Sequence, residues 1–169
     1  LKDTAGELGN ALKSIDERLK KLEEKEGTTK NDAAVPDATT LYLEGLDLVR
    51  VNKDYEKGLQ AFERFLSLYP DHELSDNAQY WIGEAYYATG DWEKAILEFN
   101  KVIKNYPKGD KVPAALLKQA FSFERLGAMK ESGILLKKVI AEHPKSTEAE
   151  IAEKHLKEPD KEGTKDRKK

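Results

Sequence analysis

The chain has 169 residues, and its 29 Lys and Arg against 32 Asp and Glu leave a net charge of −3. This balance argues against a protein that binds nucleic acid by neutralising phosphates, because such proteins carry a basic surface. The absence of cysteine excludes disulfide frameworks, thiolate metal sites and cysteine nucleophiles. No window holds the roughly 18 consecutive apolar residues that a membrane span needs. The chain begins at Leu1 rather than Met, and we expect that a signal peptide has been removed.

The first 26 residues carry an apolar seam with alternating steps of four and three residues. This spacing is typical of a coiled coil, so residues 1–26 are predicted to form an oligomerisation helix. The seam alone does not give the number of strands, and the alternative is a helix that folds back on the rest of the chain. The residues predicted to hold the oligomer together are Leu8, Leu12, Ile15, Leu19 and Leu22.

Residues 27–40, with the sequence GTTKNDAAVPDATT, lack any apolar periodicity. Gly, Pro, Thr and Asp without a repeating apolar position indicate a flexible linker. At random-coil dimensions it would span on the order of 20 Å, enough for the parts on either side to move independently.

A repeat of 37 residues governs the middle of the chain. Tyr69-Pro70, Tyr106-Pro107 and His143-Pro144 recur at this spacing, and the apolar residues before them superimpose at the same offset. A fixed period of this size indicates a solenoid of stacked supersecondary units. The predicted fold class is therefore all-α, with units at about 41–70, 75–107 and 111–144.

Each unit is predicted to be a pair of helices joined by a tight turn. Gly90 and Gly127 fall at the break and can supply the left-handed residue that ends a helix. Asp54 and Asp91 follow the break as predicted N-caps of the second helices. The aligned residues Gly58, Ala95 and Ser132 are small, as expected where two helices cross closely.

One more helix, 146–158, is predicted to close the solenoid. Thr147 and Glu150 have the spacing of a capping box, and Ile151 and Leu156 offer a thin apolar side. The Lys-rich residues 159–169 contain no apolar side chain and are predicted to be a disordered tail.

These units resemble tetratricopeptide repeats. The second unit matches best, and the first departs from the pattern with Lys53 at the turn and Gly58 where alanine is usual. The third has Ser132-Gly133 in place of Ala-Ile, and all units exceed the family's usual length of 34 residues. The matching positions of the second unit are Ile82-Gly83, Ala85-Tyr86-Tyr87, Gly90-Asp91-Trp92, Lys94-Ala95-Ile96, Phe99 and Pro107.

The Tyr-Pro endings and the run Tyr80-Trp81-Ile82-Gly83-Glu84 are similar to the C-terminal domain of the family of the Tol-Pal system protein YbgF, also called cell division coordinator CpoB. The resemblance covers roughly residues 41–157. It implies a periplasmic homotrimer that binds TolA, with a peptidoglycan synthase as a second partner, and a role in coordinating envelope constriction with wall synthesis during cell division.

Nothing in the sequence indicates catalysis or a cofactor. His72, His143 and His155 are not spaced to share a metal ion, and His143 aligns with Tyr69 and Tyr106 as a packed residue at a helix end. Phosphate-binding and nucleophile motifs are absent. We therefore expect no enzyme activity and no metal.

The remaining candidate is a protein-binding groove on the concave side of the solenoid. Residues of the first helices that point away from their partner helix line this side. Tyr80, Tyr87, Leu117 and Phe121 form an expected apolar strip suited to a segment of another protein. The alternative is that some of these side chains pack against the next repeat or the linker. The predicted groove residues are Leu43, Asp47, Arg50, Tyr80, Glu84, Tyr87, Leu117, Phe121, Glu124 and Arg125.

Other functions stay open at this stage. A generic protein-binding adaptor has the same repeats. An outer-membrane assembly lipoprotein of this repeat type would need a lipidated cysteine near the start of its full precursor, and the 169 residues themselves contain no cysteine. An accessory subunit of an enzyme would be indicated by a metal or substrate that raises the melting temperature.

Overall fold

The computed structural model describes residues 35–157, and helices account for most of them. This part of the chain contains no strand, so the predicted all-α solenoid is confirmed. The predicted oligomerisation residues from Leu8 to Leu22 lie outside the described residues, as does the predicted tail. The seven α-helices are α1 (Ala38–Leu46), α2 (Tyr55–Leu68), α3 (Ser75–Thr89), α4 (Trp92–Asn105), α5 (Val112–Arg125), α6 (Met129–Glu142) and α7 (Thr147–Lys157).

The helices repeat with the period of the sequence. The first helices of the three units begin at Ala38, Ser75 and Val112, at successive steps of 37 residues. Each helix packs against the next along the chain, and α5 also contacts α3 and α7. The helices α1, α3, α5 and α7 therefore form an inner layer, and α2, α4 and α6 an outer one.

Fully buried side chains hold the two layers together. Phe62, Phe99 and Leu136 occupy equivalent positions on the three outer helices, and all are buried. Each outer helix buries one stripe and leaves the opposite one in solvent, as the spacing of three and four predicts. The core is therefore a thin layer that runs the length of the solenoid.

The turns within the hairpins share one backbone conformation. Gly90 and Gly127 have φ angles of +80° and +77°, so their predicted left-handed conformation is confirmed. Lys53 takes the same conformation, with a φ of +57°, although it carries a side chain. The left-handed region costs a residue with a Cβ roughly 1 to 2 kcal/mol.

The predicted N-caps of the outer helices are also confirmed. The Asp54 carboxylate accepts a hydrogen bond from the Lys57 backbone N–H at 3.2 Å, and Asp91 accepts one from Lys94 at 3.3 Å. Ala128 stands at the equivalent place before α6 and has no side chain to accept such a bond.

Small residues occur where the helices of a hairpin cross. Ala95 and Ser132 have no exposed surface, and Gly58 is buried as well. A Cβ added to Gly58 would collide with the side chain of Val49. Val49 lies in a π-helix, Asp47–Asn52, that continues α1 and brings the first hairpin into this close contact.

The tyrosine that ends an outer helix is hydrogen-bonded to the segment that precedes its own unit. The Tyr69 hydroxyl donates to the Pro36 carbonyl at 3.0 Å, and the Tyr106 hydroxyl donates to that of Pro70 at 3.2 Å. Burial raises the pKa of Tyr106. His143 ends α6 as Tyr106 ends α4, so its predicted place at a helix end is confirmed.

The first helix begins earlier than the linker prediction allows. The linker was expected to extend to residue 40, whereas α1 starts at Ala38. The Asp37 carboxylate accepts a bond from the Thr39 backbone N–H at 3.0 Å and caps the helix. Ala38 and Thr39 are buried, so packing as well as capping fixes this earlier start.

The last helix differs from its prediction in two details. The Ser146 hydroxyl, not that of Thr147, accepts the N-cap bond, from the Ala149 backbone N–H at 3.1 Å. The buried side of α7 is formed by Ala149 and Ala152, whereas Ile151 remains 44% exposed. Small side chains are buried because α7 packs closely against α5 and α6.

Candidate protein-binding groove

The predicted groove residues lie on the inner helices, but they do not form one apolar strip. Tyr80, Tyr87 and Phe121 are half-buried, whereas Leu117 is only 5% exposed. Leu117 belongs to the core cluster that includes Ala149 and Ala152 of α7. Leu117 therefore lies in the core rather than on the open surface of the groove, because the last helix continues the inner layer and helps to enclose it.

The centre of the groove is α3, where Tyr80 and Tyr87 each belong to a cluster of aromatic side chains. Tyr80 packs against Trp81 and Phe99, with ring centroids 5.9 and 5.6 Å apart. Tyr87, seven residues further on and hence on the same side of the helix, packs edge-on against Trp92 at 5.0 Å. Trp81 and Trp92 were not among the predicted groove residues.

Cations from neighbouring helices lie over these rings. The Lys118 ammonium stands 4.7 Å from the centre of the Tyr87 ring, and the Arg125 guanidinium 4.8 Å from Trp92. Arg50 lies 5.7 Å from Trp81. Lys111 lies at the same distance, 5.7 Å, from Tyr80. We name these four rings and four cations the cation-covered row.

The central acid of the groove is paired. The Lys118 ammonium lies 2.9 Å from one Glu84 oxygen and 3.1 Å from the other. Glu84 lies on α3 between Tyr80 and Tyr87, and Lys118 comes from α5. This ion pair therefore links two units across the groove.

The third unit uses two predicted groove residues to hold the last helix. The Glu124 carboxylate lies 2.9 Å from His155 Nε2 and accepts a hydrogen bond from the Ser132 hydroxyl at 2.9 Å. Phe121 packs against the His155 ring at 5.1 Å. Glu124 and Phe121 thus contact the closing helix α7.

The first unit contributes less to the groove than predicted. Leu43 packs partly against the core, and the exposed Asp47 carboxylate accepts a bond from the Asn52 amide at 2.7 Å. Arg50 is half-buried and lies over the Trp81 ring of α3.

The sequence carried a partial signal for the missed residues. Lys111 and Lys118 were missed because their positions alone do not indicate which ring lies opposite. Trp81 directly follows Tyr80 in the sequence, and this aromatic pair was a signal that Trp81 also belongs to the groove.

The chemistry of the site is that of recognition. Between Val35 and Lys157 there is no group of three or more His, Asp or Glu placed to bind a metal ion. The Ser132 hydroxyl donates its hydrogen bond to Glu124 rather than to His155. An activated serine nucleophile would be hydrogen-bonded to the histidine that accepts its proton, so this cluster does not have that arrangement. None of the helices in this range is long and apolar enough to cross a membrane.

Comparison with known proteins agrees with this architecture. Two family models described as tetratricopeptide repeat match residues 42–110 and 114–146, together more than half of the chain. Among solved structures, the tetratricopeptide domain of Arabidopsis OM64 has a TM-score of 0.58 and 16% identity, with 72% of this chain and 94% of that one covered.

Among curated sequences, 50 residues of the chain are 46% identical to the cell division coordinator CpoB of Pseudomonas putida. A second Pseudomonas putida sequence of the same name gives the same match. The matched stretch is 30% of this chain and only 18% of CpoB, less than a fifth of the relative's length.

Proposed function

We propose that this chain, which belongs to the tetratricopeptide-repeat family, is a non-catalytic scaffold that holds a segment of a partner protein in the groove of α1, α3 and α5. The observation that carries the proposal is the half-buried aromatic surface of α3, centred on Tyr80 and Tyr87. Aromatic and Arg side chains at the centre of a concave surface are the usual anchors of a protein interface.

The proposed setting is the periplasm during cell division. The match to CpoB over 50 residues supports a role as a cell division coordinator of the Tol-Pal system. In this role the chain binds TolA, contacts a peptidoglycan synthase and couples envelope constriction to wall synthesis. Residues 1–26 form a coiled coil that oligomerises the chain in this proposal, and we propose a homotrimer.

Calorimetric titration of the complete chain with the periplasmic region of TolA tests the partner and the site together. Tyr87→Ala is expected to weaken binding about 30-fold, the effect of losing an anchor worth about 2 kcal/mol. The control is Leu97→Ala, because Leu97 is 60% exposed on the outer helix α4. Thermal melting of both variants shows whether Tyr87→Ala also destabilises the fold.

Each result decides a different part of the proposal. Binding that Tyr87→Ala leaves unchanged keeps TolA as the partner but contradicts the groove. Absence of binding removes TolA. For self-association, sedimentation of the complete chain is compared with that of a chain lacking residues 1–26, and a complete chain that is already monomeric at micromolar concentration contradicts the oligomer.

A further inference from the structure

We infer that the groove selects an acidic segment of its partner, because cations cover the aromatic faces that an apolar ligand would need. The inference rests on the proposed function and adds the chemistry of the ligand to it. The cation-covered row consists of Trp81, Tyr80, Tyr87 and Trp92 with Arg50, Lys111, Lys118 and Arg125.

The cations come from both sides of α3. Arg50 belongs to the π-helix that continues α1, and Lys118 and Arg125 belong to α5. Their side chains reach across the boundary between units to rings on α3 and at the start of α4. The row therefore exists only when all three units are stacked.

The three carboxylates among the predicted groove residues each have a partner already. Glu84 bonds Lys118, Glu124 bonds His155 and Ser132, and Asp47 bonds Asn52. In the part of the chain that the structure describes, no carboxylate lies within ion-pair distance of Arg50 or Arg125. These two guanidinium groups keep their capacity to bind an acid, although the chain as a whole is acidic.

The arrangement discriminates between ligands. An apolar side chain has to displace a cation before it reaches a ring face, and it then loses a contact worth about 0.5 to 1 kcal/mol. A carboxylate instead binds the cation while the cation stays over the ring. Guanidinium groups bind carboxylates through two parallel hydrogen bonds. Acidic side chains on a partner are therefore favoured at Arg50 and Arg125.

The test uses random dodecapeptides displayed on phage and panned against the complete chain. The enriched peptides are expected to contain more Asp and Glu than the starting library. Synthetic copies titrated by fluorescence anisotropy should bind less tightly as the salt concentration rises, because exposed charges are screened. Replacing their acids by Asn and Gln should weaken binding about tenfold.

A matched pair of variants locates the effect. Arg50→Gln with Arg125→Gln should weaken binding of the acidic peptides about tenfold. Lys130→Gln with Lys137→Gln removes the same charge from the exposed side of α6 and should leave binding unchanged. If the first double variant melts at a lower temperature, substitution of the peptide acids still tests the inference on the unaltered chain.

The outcomes separate this inference from the proposed function. Neutral or basic peptides that bind the groove and are lost with Tyr87→Ala would overturn the inference and leave the proposed function standing. Acidic peptides that bind both double variants equally would also overturn it. If no peptide is enriched and TolA fails to bind, both fail.

Discussion

Lys53 is the residue with the most strained backbone among the positive-φ residues of the described chain. It has a φ of +57° at a place where the other two units have glycine. Its backbone N–H bonds the Leu48 carbonyl, and this holds the turn in place. The repeat architecture thus imposes one turn geometry even where the local residue disfavours it.

We expect Lys53→Gly to stabilise the protein. Relief of the left-handed strain is worth roughly 1 to 2 kcal/mol, and the greater freedom of glycine in the unfolded chain offsets about half of this. Urea unfolding should therefore show a gain of about 0.5 to 1 kcal/mol. Gly90→Ala is the matched opposite and should lose about 0.5 to 1 kcal/mol by the same reasoning. A gain from Gly90→Ala, or a loss from Lys53→Gly, would contradict this account of the turn.

The two capping aspartates make stability depend on pH. The side-chain hydrogen bond from Lys94 lowers the pKa of Asp91, and Lys57 lowers the pKa of Asp54 in the same way. Because the folded pKa lies below the unfolded one, this stabilisation is present above about pH 4 and is lost as the pH falls through the folded pKa.

The variant that tests this is Asp54→Asn with Asp91→Asn, since asparagine keeps the cap and removes the charge. It should melt at a lower temperature than the original chain at pH 7, and the difference should close below about pH 4. A difference in melting temperature that has the same size at pH 7 and below about pH 4 would show that the carboxylate charge does not cause it.

At the scale of the helical hairpin, small residues allow the two helices to pack closely where they cross. Ala95 is fully buried where α3 and α4 pack, and one turn further along α4 the Phe99 ring lies against Gly83. The first hairpin shows the limiting case, because Gly58 and Val49 leave no room for a Cβ. The small residue therefore has a packing cause in the first two units.

Ala95→Leu should destabilise the protein by about 1 to 3 kcal/mol, because the larger side chain overpacks this crossing. Thermal melting measures the effect. The control is Lys104→Leu, since Lys104 is exposed on the same helix. Lys94 is unsuitable as a control because it pairs with Asp91 at 2.8 Å. Equal melting of Ala95→Leu and Lys104→Leu would mean that the crossing is not tightly packed.

At the scale of the whole molecule, the solenoid is closed at its end by α7. Ala149 and Ala152 cover the last core cluster, which includes Leu116 and Val139. His155 fastens this helix to Glu124 of α5. The last unit therefore depends on a helix outside its own repeat.

Removing residues 146–169 should destabilise the chain by roughly 1 to 2 kcal/mol or more, several degrees of melting temperature in a domain of this size. The apolar surface beneath Ala149 and Ala152 would become exposed to water. Removing only residues 158–169 is the control and should leave the melting temperature unchanged. If both truncations melt alike, α7 does not stabilise the repeats.

The sequence alone determined the repeat, the helical hairpins, the left-handed glycines and the aspartate caps. These features follow from signals within one unit, such as apolar spacing, a turn residue or a capping side chain, and recurrence in at least two of the three units reinforced each signal. The observed start of α1 and the observed cap of α7 each lie within three residues of the predicted position. The difference arises because the packing of Ala38 and Ala149 selects among neighbouring capping residues.

Which inner residues stay open to solvent depends on the stacking of the helices, so it could not be predicted from the sequence. Leu117 and Phe121 look alike in the repeat register, yet one is enclosed in the core and the other packs against His155. Likewise, Arg125 covers Trp92, which lies 33 positions earlier in the chain. Such contacts depend on how whole helices stack, and the spacing of residues within one helix carries no information about them.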